Sequence, residues 1–346
     1  MCCRAEKRLC ALGAESSNYC FHRRLIHVRI LGHLLVYGPS SASVAHVASS
    51  IVSLREPEDR ESQKLVVLGE FYDNHFLRAF RQFTCKCRTP AHSEHLSRPS
   101  FNMTKKEIEE CLIETPSNHE AAKRLTLARD GCRCMLTGKM HSAHRETVYS
   151  VQHPGEFVPH TITECAHIFS VSTNTNLNDS EKVMSRDYTA NFWSIIKSFG
   201  YVSIQPKLEG SDMHSLQNLL TLAIDVHRAF NGLKLWLEPI SGAPNRYRIL
   251  SRYDPREIDI VNPVVHFTSH TDPPLPLPDP DYLHIHAACC KIALMSGASG
   301  LYDQLEQDME SDPDPELELS AFASALEARL EHEQVHHSIG HSVYPA

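Results

Sequence analysis

The chain has 346 residues, 42% hydrophobic and 22% charged, which is ordinary globular usage and excludes a collagen-like or wholly disordered polypeptide. At roughly 150 residues per domain the length predicts about two domains. The formal net charge of −8 is uneven: residues 301–346 carry eleven acids against Arg329 alone, which leaves +2 on residues 1–300. That excludes a strongly basic nucleic-acid-binding domain but not a local cationic surface.

The most apolar early stretch, residues 25–37, is broken by His27, Arg29 and His33, and no run of about 18 apolar residues predicts a membrane span. The opening MCCRAEKRLC has no apolar core of signal-peptide type, so an intracellular protein, nuclear or cytoplasmic and not secreted, is expected. The 12 cysteines are then expected as free thiols. Cys85/Cys87 and Cys132/Cys134 are spaced Cys-x-Cys and no Cys-x-x-Cys occurs, so no structural zinc is expected.

Residues 1–60 show no long period; Leu25, His27, Arg29 and Ile30 fit a strand or a helix equally. Residues 65–83 place Val67, Phe71, His75, Phe76, Phe80 and Phe83 near helical spacing, which predicts a strand or buried run leading into an amphipathic helix. Residues 85–100 are rich in Pro, Ser and His and read as a loop. Ser117 to Glu120 forms a capping-box pattern, with a helix through Ala121, Ala122, Leu125 and Ala128 stopping near Gly131.

CRCMLTGKM predicts a short strand with a turn at Thr137-Gly138, and residues 160–169 a strand ending at His167. Residues 174–179 read as loop. Residues 188–199 predict a helix with Phe192, Trp193, Ile195, Ile196 and Phe199 on one face and Gly200 as its stop. A strand over 215–222 and a short helix over 223–230 follow. Strands over 233–240 and 247–250 flank the turn at 242–245. DPPLPLPDP (272–280) reads as an extended linker. Residues 283–295 read as a helix with Ile285, Ala288, Ile292 and Met295 inside.

The informative stretch is 130–250: DGCRCMLTGK, TECAHIFS, LQNLLTLAIDVHRAFN, LKLWLEP and PNRYRI, in that order. It resembles the HNH endonucleases, the ββα-metal nucleases, in the form found in many fungal open reading frames. ETPSNHEAAKRL and YLHIHAACCKIALMSGA extend the resemblance to roughly 65–310. The resemblance implies an α+β fold: a ββα-metal core with an inserted helix and flanking helices. It divides the chain into a variable segment (1–60), a helical part packing on the core (61–130), the nuclease domain (131–250), a Pro-rich linker with a C-terminal helix (251–310) and an acidic flexible tail (311–346).

Such a site needs a His ending the first strand, an Asn in the returning segment and a His on the following helix. These are His167, Asn218 and His227, the last two nine positions apart. The resemblance implies hydrolysis of nucleic-acid phosphodiesters, DNA first. His167 is the general base, and Asn218 fixes the hairpin loop or holds the His167 imidazole. His227 is a ligand of a divalent metal, with Asp225 or Glu164 as further ligands. Mg²⁺ suits such a site; Mn²⁺, Ni²⁺ and Zn²⁺ are compatible with His ligation. Arg228 and Lys234 are candidates for phosphate contact.

This chain departs from the family pattern in three ways. Ala166 precedes His167 where relatives often carry a metal ligand, and strand alternation places Glu164 awkwardly as a substitute. The zinc-binding Cys pairs of many relatives are missing. The 51-residue gap between His167 and Asn218 predicts an inserted helix lying over the hairpin. Plain alternatives stand beside these roles. With 23 His in the chain, most are ordinary residues. Asp225 fits a helix cap or a pairing with Arg228. Trp193 and Trp236 read as core, Cys132, Cys134 and Cys165 as buried thiols, and His284 and His286 show no partner. Two other functions are expected to compete: a degenerate HNH module that binds nucleic acid or protein without cutting, and an interaction protein using residues 1–60 and the acidic tail.

Overall fold

The computed structural model describes residues 1–13, 19–55, 58–81, 119–174 and 183–311. One compact unit comprises Met1–Phe83 and His92–Gly300, and a second comprises Thr84–Ala91 and Leu301–Ala346. The expected loop at 85–100, the capping Ser117, the loop at 175–179 and the tail after 311 lie outside the described residues.

Among the described residues the helices of eight residues or more are α1 (Cys2–Gly13), α2 (Tyr19–Tyr37), α3 (Ser41–Ser53), α4 (Glu58–Tyr72), α5 (His119–Arg129), α6 (Val183–Ser198), α7 (Ile224–Asn231), α8 (Pro280–Ser296) and α9 (Ala298–Ser311). The strands form three small sheets. β1 (Met140–His141) runs parallel to β2 (His160–Thr161). β3 (Thr163–His167) is antiparallel to β4 (Leu219–Ala223). β5 (Leu235–Pro239), β6 (Arg246–Ser251) and β7 (Val264–His266) make an antiparallel set. The architecture is α+β.

The described residues of 1–60 are mostly helical. α2 buries Leu25, Ile26, Val28, Ile30, Leu31 and Leu34 because α1, α3, α4 and α8 all pack on it. A helix packed against four others carries no single apolar stripe, which is why its sequence shows no period. α3 begins at a capping box in which Ser40 and Ser43 exchange side-chain and backbone hydrogen bonds. α4 crosses α2 at Gly69, where an added Cβ would overlap the His27 carbonyl. Of the strand or buried run expected in 65–83, no strand forms among the described residues: α4 passes directly into a π-turn over Asp73–Leu77 and a last helical turn at Arg78–Phe80.

That turn delivers Phe76 and Phe80 into an aromatic core. Phe76 packs edge-on to Phe199, Phe80 to Phe169 and Phe192, and Trp193 stacks on Phe169. Such contacts are worth about 1 kcal/mol each beyond the area they bury. α6 therefore packs on the N-terminal helices and on the turn after β3. Gly200, at φ +93°, ends it.

The proline-rich stretch 272–280 is a packed strap rather than a free linker. Leu275 is buried, and the Pro276 carbonyl accepts from Arg129. α8 buries Ile285, Ala288 and Ile292 as expected, whereas Met295 is half exposed. His284 and His286 do have partners. His284 Nε2 lies 3.0 Å from the Pro39 carbonyl oxygen. His286 stacks on Phe230 at 3.8 Å and its Nε2 lies 3.2 Å from the Phe230 oxygen.

Burial pushes the His286 imidazole down to about 3; an exposed His titrates near 6.5. Between those values the unfolded chain binds a proton that the folded chain refuses. Stability is therefore expected to fall as pH drops below about 6.5, with His286 contributing about 1 kcal/mol per pH unit. His286→Phe keeps the stack and removes the titration. Urea midpoints between pH 7 and 5 should decline less steeply for that variant than for the parent, and equal slopes would exclude His286 as a source.

Candidate functional site

The site is built on β3, β4 and α7. β3 and β4 pair with His167 opposite Leu219 and Glu164 opposite Leu222. β4 runs directly into α7, since Ala223 ends the one and Ile224 begins the other. The hairpin is fixed from beneath by α5. That helix ends in a Schellman turn, with Gly131 at φ +63° and the Cys132 amide donating to the Leu127 oxygen.

The turn presents Arg129 and Asp130, both buried. Arg129 Nε and Nη2 bond the Asp130 carboxylate at 2.7 and 3.0 Å. Nη1 donates to the carbonyls of Leu216 and Pro276, and Nη2 also to that of Leu219. All five guanidinium N–H donors are thus placed. Asp130 accepts in turn from the Thr221 amide. Arg129, a base in the last turn of a helix, was not singled out in the sequence.

Asn218 is fully buried between the two carbonyls that Arg129 holds. Its Oδ1 accepts from the Phe169 amide at 2.8 Å, and its Nδ2 donates to the Phe169 and Met213 carbonyls at 3.0 Å each. Asn218 thus grips residue 169, two beyond His167.

His167, at the end of β3, is buried. Its Nε2 lies 3.0 Å from Nδ1 of His214, and the two rings are inclined at 65°. Sequence reasoning missed His214, which stands 47 residues from His167 and is brought there only by tertiary packing.

A second group forms where α7 meets β3. His227 Nδ1 lies 2.6 Å from Glu164 Oε2, and its Nε2 lies 3.0 Å from Asn231 Nδ2. Alternation along β3 puts Glu164 on the same side as Ala166, so the position judged awkward is the one that meets α7. Asn231, four residues after His227, lies on the same helix face; that spacing was a signal in the sequence that the reading passed over. Among the described residues no three His, Cys, Asp or Glu side chains gather as a metal site. The third donor of this group is an amide.

Asp225 is exposed in the first turn of α7. Two residues before His227 is about 200° around the helix, so the structure does not bring it to the cluster. Arg228 is exposed on the same helix. Lys234 Nζ lies 5.8 Å from the ring centre of exposed Tyr253, and the Arg252 guanidinium lies 5.5 Å from the same ring.

His141, also unread in the sequence, anchors the start of β3. Its Nδ1 meets the Thr163 hydroxyl at 2.9 Å and amide at 3.3 Å, and burial lowers its pKa. The turn at Thr137-Gly138 has the Thr137 amide directed at Cys134 Sγ, with Gly138 at φ +71°. Cys134 and Cys165 are buried as expected, Cys132 only partly. Burial pushes the Cys132 and Cys165 thiols up to about 11, which keeps both protonated at neutral pH. Trp193 and Trp236 are core residues.

Residues 134–234 match the family model described as HNH endonuclease. The match spans β3, β4 and α7, the hairpin and helix of a ββα-metal core, and bears out the resemblance over that segment. No curated protein and no solved structure matches the chain. The family comprises nucleases that act on nucleic acid and generally use a divalent metal, so a nuclease-type function is supported. Among the described residues no helix is long and apolar enough to cross a membrane.

Asn218→Ala leaves the buried Phe169 amide and the carbonyls it bonded without their partner. Stability in urea should fall by about 3 kcal/mol. A loss under about 1 kcal/mol would remove the clamp assigned to Asn218.

Proposed function

We propose that β3, β4 and α7 carry a metal-dependent endonuclease site that hydrolyses DNA phosphodiesters, with His167 as general base and His227 as metal ligand. The observation that supports this reading best is the meeting of α7 with β3 through His227. One ring nitrogen is held by Glu164 and the other faces Asn231.

The donor set fits a divalent ion. Two adjacent ligands of an octahedral ion at about 2.1 Å lie about 3 Å apart, and His227 Nε2 and the Asn231 amide are 3.0 Å apart. Nitrogen and oxygen of an amide are exchanged by a flip, which turns Asn231 Oδ1 toward the same point. Glu164 then keeps its hydrogen bond to Nδ1 and orients the ring, as carboxylates beside ligating histidines do. Glu164 is accordingly read as the group that orients His227, and Asn231 as the second ligand in place of Asp225. The bound ion would neutralise charge on the scissile phosphate and on the departing 3′ oxygen.

His167 takes a proton from the attacking water, and a neutral imidazole is suited to this at physiological pH. Asn218 keeps the His167 end of β3 in place through Phe169. Arg228 and Lys234, on and just after α7, are placed to meet phosphates, and Mg²⁺, with water filling the remaining positions, is the ion proposed for so few protein ligands.

A second reading, a module that binds nucleic acid without cutting, is favoured by one observation. Ala166, fully buried, offers no ligand where relatives often have one.

Plasmid DNA incubated with the full chain and Mg²⁺ or Mn²⁺ should be nicked or linearised, and His167→Ala and His227→Ala should abolish this. Absence of cleavage by the folded protein with any of these ions would leave the binding-only module. Calorimetric titration of Mn²⁺ should show affinity reduced about 10- to 100-fold by Glu164→Gln and by Asn231→Leu. Unchanged affinity in Asn231→Leu would remove it from the ligand set.

A further inference from the structure

We propose that His214 is a positioning residue for His167, an assignment that rests on the nuclease reading above. His214 would accept the His167 Nε2–H and thereby keep the lone pair of that ring on Nδ1, the nitrogen a general base at this position must use.

A neutral imidazole has one donor nitrogen and one acceptor nitrogen, and a hydrogen bond at one decides which the other is. His167 Nε2 and His214 Nδ1 are 3.0 Å apart, so one of them carries the proton between the rings. If His167 carries it, Nδ1 is the basic nitrogen; if His214 carries it, His167 is held in the tautomer whose Nδ1 is protonated and cannot take a proton from water. In the first arrangement His214 also faces the imidazolium that forms when His167 accepts the water proton, and its Nδ1 lone pair stabilises that cation. Aspartate plays this part in the serine hydrolases; a neutral imidazole here would do so without a fixed negative charge.

The contact is built by the scaffold. Both rings sit at chain positions gripped by one side chain. Asn218 Nδ2 bonds the carbonyl of Met213, next to His214, and the Asn218 amide group exchanges two hydrogen bonds with Phe169, two beyond His167. Asn218 is itself fixed on either side by the Arg129 bonds to Leu216 and Leu219. The turn that carries His214 is closed by the Ser215 amide on the Asp212 carbonyl and the Asn218 amide on the Ser215 carbonyl, each at 2.8 Å. Fully buried Asn218 thus sets the distance between the two imidazoles, and His214 is the group that distance serves.

The test uses the full chain labelled with ¹⁵N at histidine. The His167 and His214 signals are assigned by their loss in His167→Gln and His214→Asn. At pH 8 the parent should show a slowly exchanging His167 Nε2–H. His214→Asn, which puts an amide oxygen near the place of Nδ1, should retain that signal and cleave within about threefold of the parent. His214→Leu should lose the signal, and its kcat should fall on the order of 10- to 100-fold with KM little changed.

A proton found on His167 Nδ1, or between the rings but on His214, overturns the proposal. So does a His214→Leu variant that cleaves like the parent while His167→Ala does not; in that case the nuclease reading stands and only the role of His214 falls. If neither parent nor variants cleave, the nuclease reading fails and takes the role of His214 with it, even where the Nε2–H signal confirms the pairing. Far-ultraviolet circular dichroism of His214→Leu, with His214→Asn as the rescue, separates misfolding from mispositioning.

Discussion

The hairpin and the groups it carries depend on the buried pair Arg129 and Asp130. An Arg removed from water is tolerated only when its donors are filled, and here all five are, by one carboxylate and three backbone carbonyls. Those carbonyls belong to Leu216, Leu219 and Pro276, so one side chain joins α5, the start of β4 and the proline strap. Asp130 adds the Thr221 amide in the middle of β4. Asn218 falls inside the span that Arg129 defines and passes the constraint to Phe169 and Met213. Catalytic geometry of the kind proposed for His167 needs placement to within about half an ångström, and this chain of buried hydrogen bonds supplies a reason for such placement.

The two polar groups differ in environment. His167 is buried at the end of β3, with His214 beside it partly covered, and its hydrogen bond strengthens where little water competes. Glu164 lies at the exposed side of its strand, with His227 only partly covered. That division suits their proposed tasks. A base needs a fixed tautomer, whereas a metal site needs open positions for water and for substrate oxygens.

Much of the core was legible because it is local. The end of β3 at His167, the passage from β4 to α7, the stop at Gly131 and the β5–β6 hairpin all follow from spacing and turn residues within a few positions. Asn231 was equally local, four residues beyond His227, but a reading fixed on charged ligands passed over an amide. The rest was illegible for tertiary reasons. α2 packs against four other helices and so shows no single stripe. Arg129 looks like any base in the last turn of a helix until its four partners are known. His214 gains meaning only from a residue 47 positions away. The strap at 272–280 has the composition of a spacer, and its burial depends on a guanidinium contributed by α5.

The crossing of α4 and α2 at Gly69 has a consequence for how this sequence can drift. Any other amino acid there would drive a carbon into the main chain of His27, so the position is closed to substitution as long as the two helices cross, whatever becomes of the hairpin. His167, His227 and Asn231 carry no such burden, and under the proposed function only their chemistry would hold them. Descendants of a common ancestor would thus record two histories separately. A lineage that keeps Gly69 and loses the histidines has kept the architecture and abandoned the reaction; one that loses Gly69 has rebuilt the helical base.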